Sequence, residues 1–136
     1  MSSLLRLIHA LFAALFLFSV AVQYNDPDPL PWGLLYGAAC ALALAAVLGR
    51  PLSKAAVGLM LLAGLWALSL SPSLGAFVLR DLAATHFEMK AGDLIEEEAR
   101  ECGGLLLVCL ASIVQVMDAN ARRRRSVSAA VSGGAH

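Results

Sequence analysis

The sequence predicts an all-α integral membrane protein, a four-helix bundle with both termini cytoplasmic and acidic outer loops. Three observations carry that expectation. Of 136 residues, 60% are hydrophobic and only 15% charged, whereas soluble domains are about half apolar and a quarter charged. A chain this short has too little interior to hide so much apolar surface from water. The excess lies in alanine and leucine, not in aromatic or β-branched residues, which favours helices. The alternating ten-residue segments of a transmembrane barrel are not visible.

Four apolar runs set the elements. The first, Leu4 to Val22, is broken only by Arg6 and His9 near its start. It also has features of a secretory signal, with Ser19-Val20-Ala21 as a small-x-small cleavage site, but its apolar stretch is longer than a signal core. The segment Gln23 to Pro31 holds three prolines and links it to the second run, Trp32 to Leu48. Asp28 and Pro29 suit the N-cap and first position of that helix. Gly49-Arg50-Pro51 supplies a glycine stop and a proline that cannot continue it. The third run, Ala55 to Leu70, is expected to end at Ser71-Pro72. A polar insertion from Leu74 to Glu101 follows. Asp93 with Glu96 has capping-box spacing, so the fourth helix is expected to begin at Leu94 and carry the run Gly103 to Met117. The predicted helices are thus about 4–22, 30–48, 53–71 and 94–120. They form one domain, 1–121, followed by a basic, then disordered, tail over 122–136. Each apolar run falls somewhat short of the roughly 20 residues that cross a bilayer, and flanking Arg6, Lys54 and Arg100 can extend them by snorkelling.

Charge gives the orientation. With the N-terminus inside, the inner side holds Arg6, Arg50, Lys54 and Arg122 to Arg125 against Asp118 alone. The outer side holds Arg80, Lys90 and Arg100 against Asp26, Asp28, Asp81, Glu88, Asp93, Glu96, Glu97, Glu98 and Glu101. The basic residues decide, and they place both termini in the cytoplasm, as in a multi-pass protein of the plasma or bacterial inner membrane. Arg122, Arg123, Arg124 and Arg125 are expected to meet anionic lipid. A net charge of zero gives no argument for nucleic acid. Cys40, Cys102 and Cys109 form neither a disulfide framework nor a zinc motif and read as small buried groups. His9 reads as an interface residue and His86 as a loop residue. No acidic residue is expected mid-span.

Polar residues gather on the outer face. Gln23, Asn25, Asp26 and Asp28 lie on a proline-stiffened turn, and Asp28, Trp32 and Tyr36 recur at four-residue steps along one helix face. Trp32 and Tyr24 also suit the membrane–water interface. On the fourth helix, Glu97 and Glu101 lie one turn apart, with Arg100 beside them, and Gly103-Gly104 below permits close helix approach. Asp26, Asp28, Glu97 and Glu101 supply oxygen ligands suited to a divalent cation such as calcium or magnesium, without the spacing of an EF-hand. The same carboxylates could serve acid–base catalysis given suitable geometry. None of the protease, hydrolase or nucleotide-binding signatures is present.

The run Ala21-Val22-Gln23-Tyr24-Asn25-Asp26-Pro27-Asp28, then Trp32 and Tyr36, resembles the first loop of the transmembrane protein 220 family. Glu96-Glu97-Glu98-Ala99-Arg100-Glu101 with Gly104-Leu105 resembles its second hallmark segment, and Trp66 falls where that family carries a tryptophan. The resemblance implies a small multi-spanning protein that keeps its first helix, and it brings no established activity. Three functions follow as expectations. The first is binding of a cation or small polar ligand through Gln23, Asn25, Asp26, Asp28, Trp32, Tyr36, Glu97, Arg100 and Glu101. The second is a membrane-embedded enzyme using the same carboxylates. The third is an assembly partner of another membrane protein or of a second copy.

Overall fold

The computed structural model describes the backbone of residues 2–25, 28–83 and 94–133, and the side chains of these except 25, 73–99 and 131–133. Four helices follow in order: α1 (Ser3–Val22), α2 (Pro29–Val47), α3 (Ser53–Ala83) and α4 (Leu94–Gly133), with a 3₁₀ turn at Gln23–Asn25 after α1. The stretches Ser3–Val22, Pro29–Val47, Ser53–Pro72 and Arg100–Ala130 are each long and apolar enough to cross a membrane. Among the described residues there is no strand.

Local chemistry explains the helix ends. The Leu5 amide donates to Ser2 Oγ at 3.3 Å and caps α1. Asp28 occupies the N-cap of α2 with Pro29 behind it, although its carboxylate makes no capping hydrogen bond. At the other end of α2 the Arg50 amide donates to the Ala45 carbonyl at 2.8 Å and the Gly49 amide to Ala46 at 3.0 Å. That paired closure is the Schellman motif, which needs a left-handed residue after the cap. Gly49 supplies it at φ +83°. A Cβ added there would meet only Arg122 Nη1 at 3.8 Å, so Gly49→Ala is expected to cost the backbone strain alone, about 1–2 kcal/mol. Thermal unfolding in mild detergent checks this against Gly33→Ala, in open space within α2, which helix propensity is expected to stabilise by up to about 1 kcal/mol.

Two helices run further than the sequence predicts. The third does not end at Ser71-Pro72 but continues to Ala83. Proline has no N–H to give the carbonyl four residues back. Here the Ser71 hydroxyl donates to that carbonyl, Leu68 O, at 2.8 Å, a substitution known to make proline tolerable in membrane helices. The fourth helix extends past Asn120 to Gly133, so the expected disordered tail is helical over most of its length. Arginine and alanine sustain a helix well, and beyond Asn120 no glycine or proline occurs before Gly133.

Packing is organised as two hairpins, α1 along α2 and α3 along α4, joined through α2. The fully buried positions include Ala43, Ala46, Ala56 and Ala63 beside Phe16, Leu105 and Val108, whereas Leu7, Leu11, Leu17, Leu61, Leu65, Leu68, Leu106 and Leu110 are exposed. Small residues inside and leucines outside is the arrangement expected when lipid is the solvent, because close backbone approach and not water exclusion drives helix association. Each cysteine is a free thiol that contacts a carbonyl of the other helix in its hairpin: Cys40 with Ala13, Cys102 with Ala67 and Cys109 with Met60.

Candidate functional site

Polar residues lie at both ends of the bundle. At the distal end, where α2 and α4 begin, Gln23 is half-buried in the 3₁₀ turn, and Asp28 and Arg100 are exposed, with Glu101 half-buried. Asn25 belongs to the same turn and Glu97 to α4. The side chains of Asn25 and Glu97, and all of Asp26, lie outside the described residues. Among the described residues no three His, Cys, Asp or Glu side chains gather as a metal site. Trp32 and Tyr36 are buried, at 4% and 9% exposure, whereas Tyr24 is exposed. Trp32 is therefore a bundle residue and not an interfacial anchor. Its indole stacks on Trp66 of α3 with ring centroids 4.5 Å apart, and on Tyr36 at 5.9 Å. The stack continues from Tyr36 to Phe16 and Phe12 of α1 at 6.1 Å each. These separations lie within the attractive range for aromatic pairs.

The Tyr36 hydroxyl sits directly against Gly104. A Cβ built on Gly104 would collide with Oη and lie 3.3 Å from Cζ. Gly104 thus admits the tyrosine, while Gly103 faces open space. This contact holds the face of α2 that begins with Asp28 against α4, one turn below Arg100 and Glu101.

The proximal end, where α1 begins and α4 leaves the bundle, holds a cluster that the sequence reading missed. His9 is fully buried, and Ser112, Gln115 and Asp118 are almost so. His9 Nε2 lies 3.4 Å from Asp118 Oδ2, yet neither ring nitrogen has hydrogen-bond geometry to a partner, nor does Gln115 Oε1. Arg122 Nε donates to both carboxylate oxygens of Asp118 at 3.1 Å and Nη2 to Oδ2 at 2.7 Å. Its Nη1 donates to the Gly49 carbonyl at 3.2 Å. One guanidinium therefore neutralises a buried carboxylate and caps the end of α2. His9 and Asp118 both face the bundle interior, and Asp118 lies in the apolar stretch Arg100–Ala130. Arg122 is turned inward, whereas Arg123, Arg124 and Arg125 are exposed.

A family model described as transmembrane family 220, helix, matches residues 15–117. The chain belongs to this family. In this family 220 member the match spans both distal segments and Trp66, and it stops short of His9, Asp118 and Arg122 at either side. No curated protein and no solved structure matches the chain.

The proximal cluster did leave a signal in the family 220 sequence. Ser112, Gln115, Asp118 and Arg122 follow at steps of three, three and four, one face of a helix. A polar stripe within an apolar run points to the bundle interior, since lipid would not solvate it. His9, on another helix, gave no such periodicity.

Proposed function

We propose that this membrane protein binds a divalent cation such as calcium or magnesium, or a small polar ligand, at its distal end. The observation that carries the reading is the seating of Tyr36 on Gly104. It keeps α2 and α4 together at the level where their polar residues emerge. Asp26, Asp28, Glu97 and Glu101 would supply carboxylate oxygens and Gln23 and Asn25 amide oxygens, which suit a hard cation. Arg100 would orient the carboxylates or meet an anionic group on the ligand. Trp32 and Tyr36, locked in the aromatic stack, would hold the rim rigid. Both segments fall within the family match, which supports treating them as one site. The asymmetry of basic residues supports a distal end on the outer face, both termini cytoplasmic.

The test is thermal unfolding in mild detergent, with chelator and then with calcium, magnesium, manganese or zinc. One cation is expected to raise the midpoint in wild type and to do so in neither Asp26→Asn nor Glu97→Gln. A ligand at 100 times its Kd stabilises by about 2.7 kcal/mol, a shift large enough to read. The absence of any cation-dependent shift would refute the metal form of the proposal. An identical shift in both variants would place the cation elsewhere.

A further inference from the structure

Between α2 and α3, toward the proximal end, the bundle surface is cut by a lateral groove of ≈ 430 Å³. Small residues make it: Ala38 and Ala41 on α2, Ala55 and Gly58 on α3, with Leu52 and Leu62 beside them. A Cβ on Gly58 would meet nothing within 4 Å. The groove shares Leu52 and Ala55 with a second hollow of ≈ 390 Å³, which adds Pro51, Ser53 and Lys54. An apolar slot therefore opens into a recess bearing a hydroxyl and an ammonium group. Exposed Arg50 stands next to it in sequence.

A slot of this kind in a hydrocarbon solvent is filled by an acyl chain or by a neighbouring helix. Charge separates the two. The proximal end carries exposed Arg6, Arg50, Lys54, Arg123, Arg124 and Arg125, while Asp118 is buried and paired with Arg122. A second copy lying alongside in the same orientation would bring the same cations to the same depth, and like charges repel. An anionic headgroup brings the opposite charge, and basic clusters at membrane surfaces attract such lipids. We propose that the groove binds one anionic phospholipid, with an acyl chain between α2 and α3 and the phosphate at Lys54. The site is separate from the distal one and stands or falls independently of it.

Native mass spectrometry of the delipidated full chain, with phosphatidylglycerol or phosphatidylcholine of identical acyl chains, tests the proposal. One phosphatidylglycerol adduct is expected at concentrations about tenfold below those giving a phosphatidylcholine adduct. Gly58→Leu, which fills the slot at an exposed helical position, is expected to weaken that adduct about tenfold. Lys54→Glu is expected to abolish the preference for the anionic lipid, and Arg124→Glu to leave it in place. Equal binding of the two lipids by wild type would overturn the proposal. So would unchanged lipid binding in Gly58→Leu, including the case where that variant alters only the proportion of dimer.

Discussion

Replacing Arg122 by alanine is expected to destabilise the bundle by roughly 3–5 kcal/mol, the usual result of stripping a buried charge of its partner. The cost resides in what remains. The Asp118 side chain is 2% exposed and the Arg122 side chain 25% exposed, so the arginine could reach the surface alone but the carboxylate could not. The Gly49 carbonyl would lose its donor as well, loosening the end of α2. Arg123→Ala, one residue on and exposed, is expected to stay within about 0.5 kcal/mol of wild type. The double variant Asp118→Asn/Arg122→Ala should recover much of the loss, since the uncompensated charge is gone. Reversible unfolding in detergent of wild type, Asp118→Asn, Arg122→Ala and the double variant measures the coupling. Equal stability of Arg122→Ala and Arg123→Ala would show that the proximal pair is not holding the helices.

The second large effect is expected at Gly104, where one methyl group should do what it does not do one residue earlier. Gly103→Ala places its Cβ in open space and should stabilise α4 by up to about 1 kcal/mol through helix propensity. Gly104→Ala drives its Cβ into the Tyr36 hydroxyl and should destabilise by about 1–3 kcal/mol, the range for overpacked cores. Tyr36 cannot simply swing aside, because it is packed between Trp32 and Phe16. Tyr36→Phe removes the colliding oxygen and should restore much of the stability of Gly104→Ala, leaving the closer fit at Cζ. Unfolding midpoints that fall equally for both glycines would remove Tyr36 as the cause.

How far the sequence anticipated this molecule depends on the kind of signal. Runs of apolar residues mark spans because lipid selects on composition over many positions, so all four emerged. The glycine stop at Gly49 was also legible, because the left-handed backbone it serves nearly demands that residue. Pro72 misled, since its usual effect is cancelled by a serine hydroxyl one residue before it, a local bond that composition does not reveal. The small polar residues from Ser126 onward suggest disorder, but they are also compatible with helix, and α4 runs on to Gly133. At the distal end, the four-residue spacing from Asp28 to Tyr36 marked a shared face but could not say that Trp32 and Tyr36 turn inward. At the proximal end, His9 and Asp118 lie on the first and last helices, with two helices between them in the chain, and only packing brings them within 3.4 Å.

The aromatic stack gives the protein an optical signature of its own. The chain has two tryptophans, and both stand in one face-to-face pair bridging α2 and α3. Indoles that close couple their electronic transitions, so near-ultraviolet dichroism and emission report on a single junction and not on an average over the bundle. That junction joins the two hairpins on the distal side. Any separation of the hairpins there, by ligand, lipid or denaturant, would change the colour of the protein's own light before a label was added.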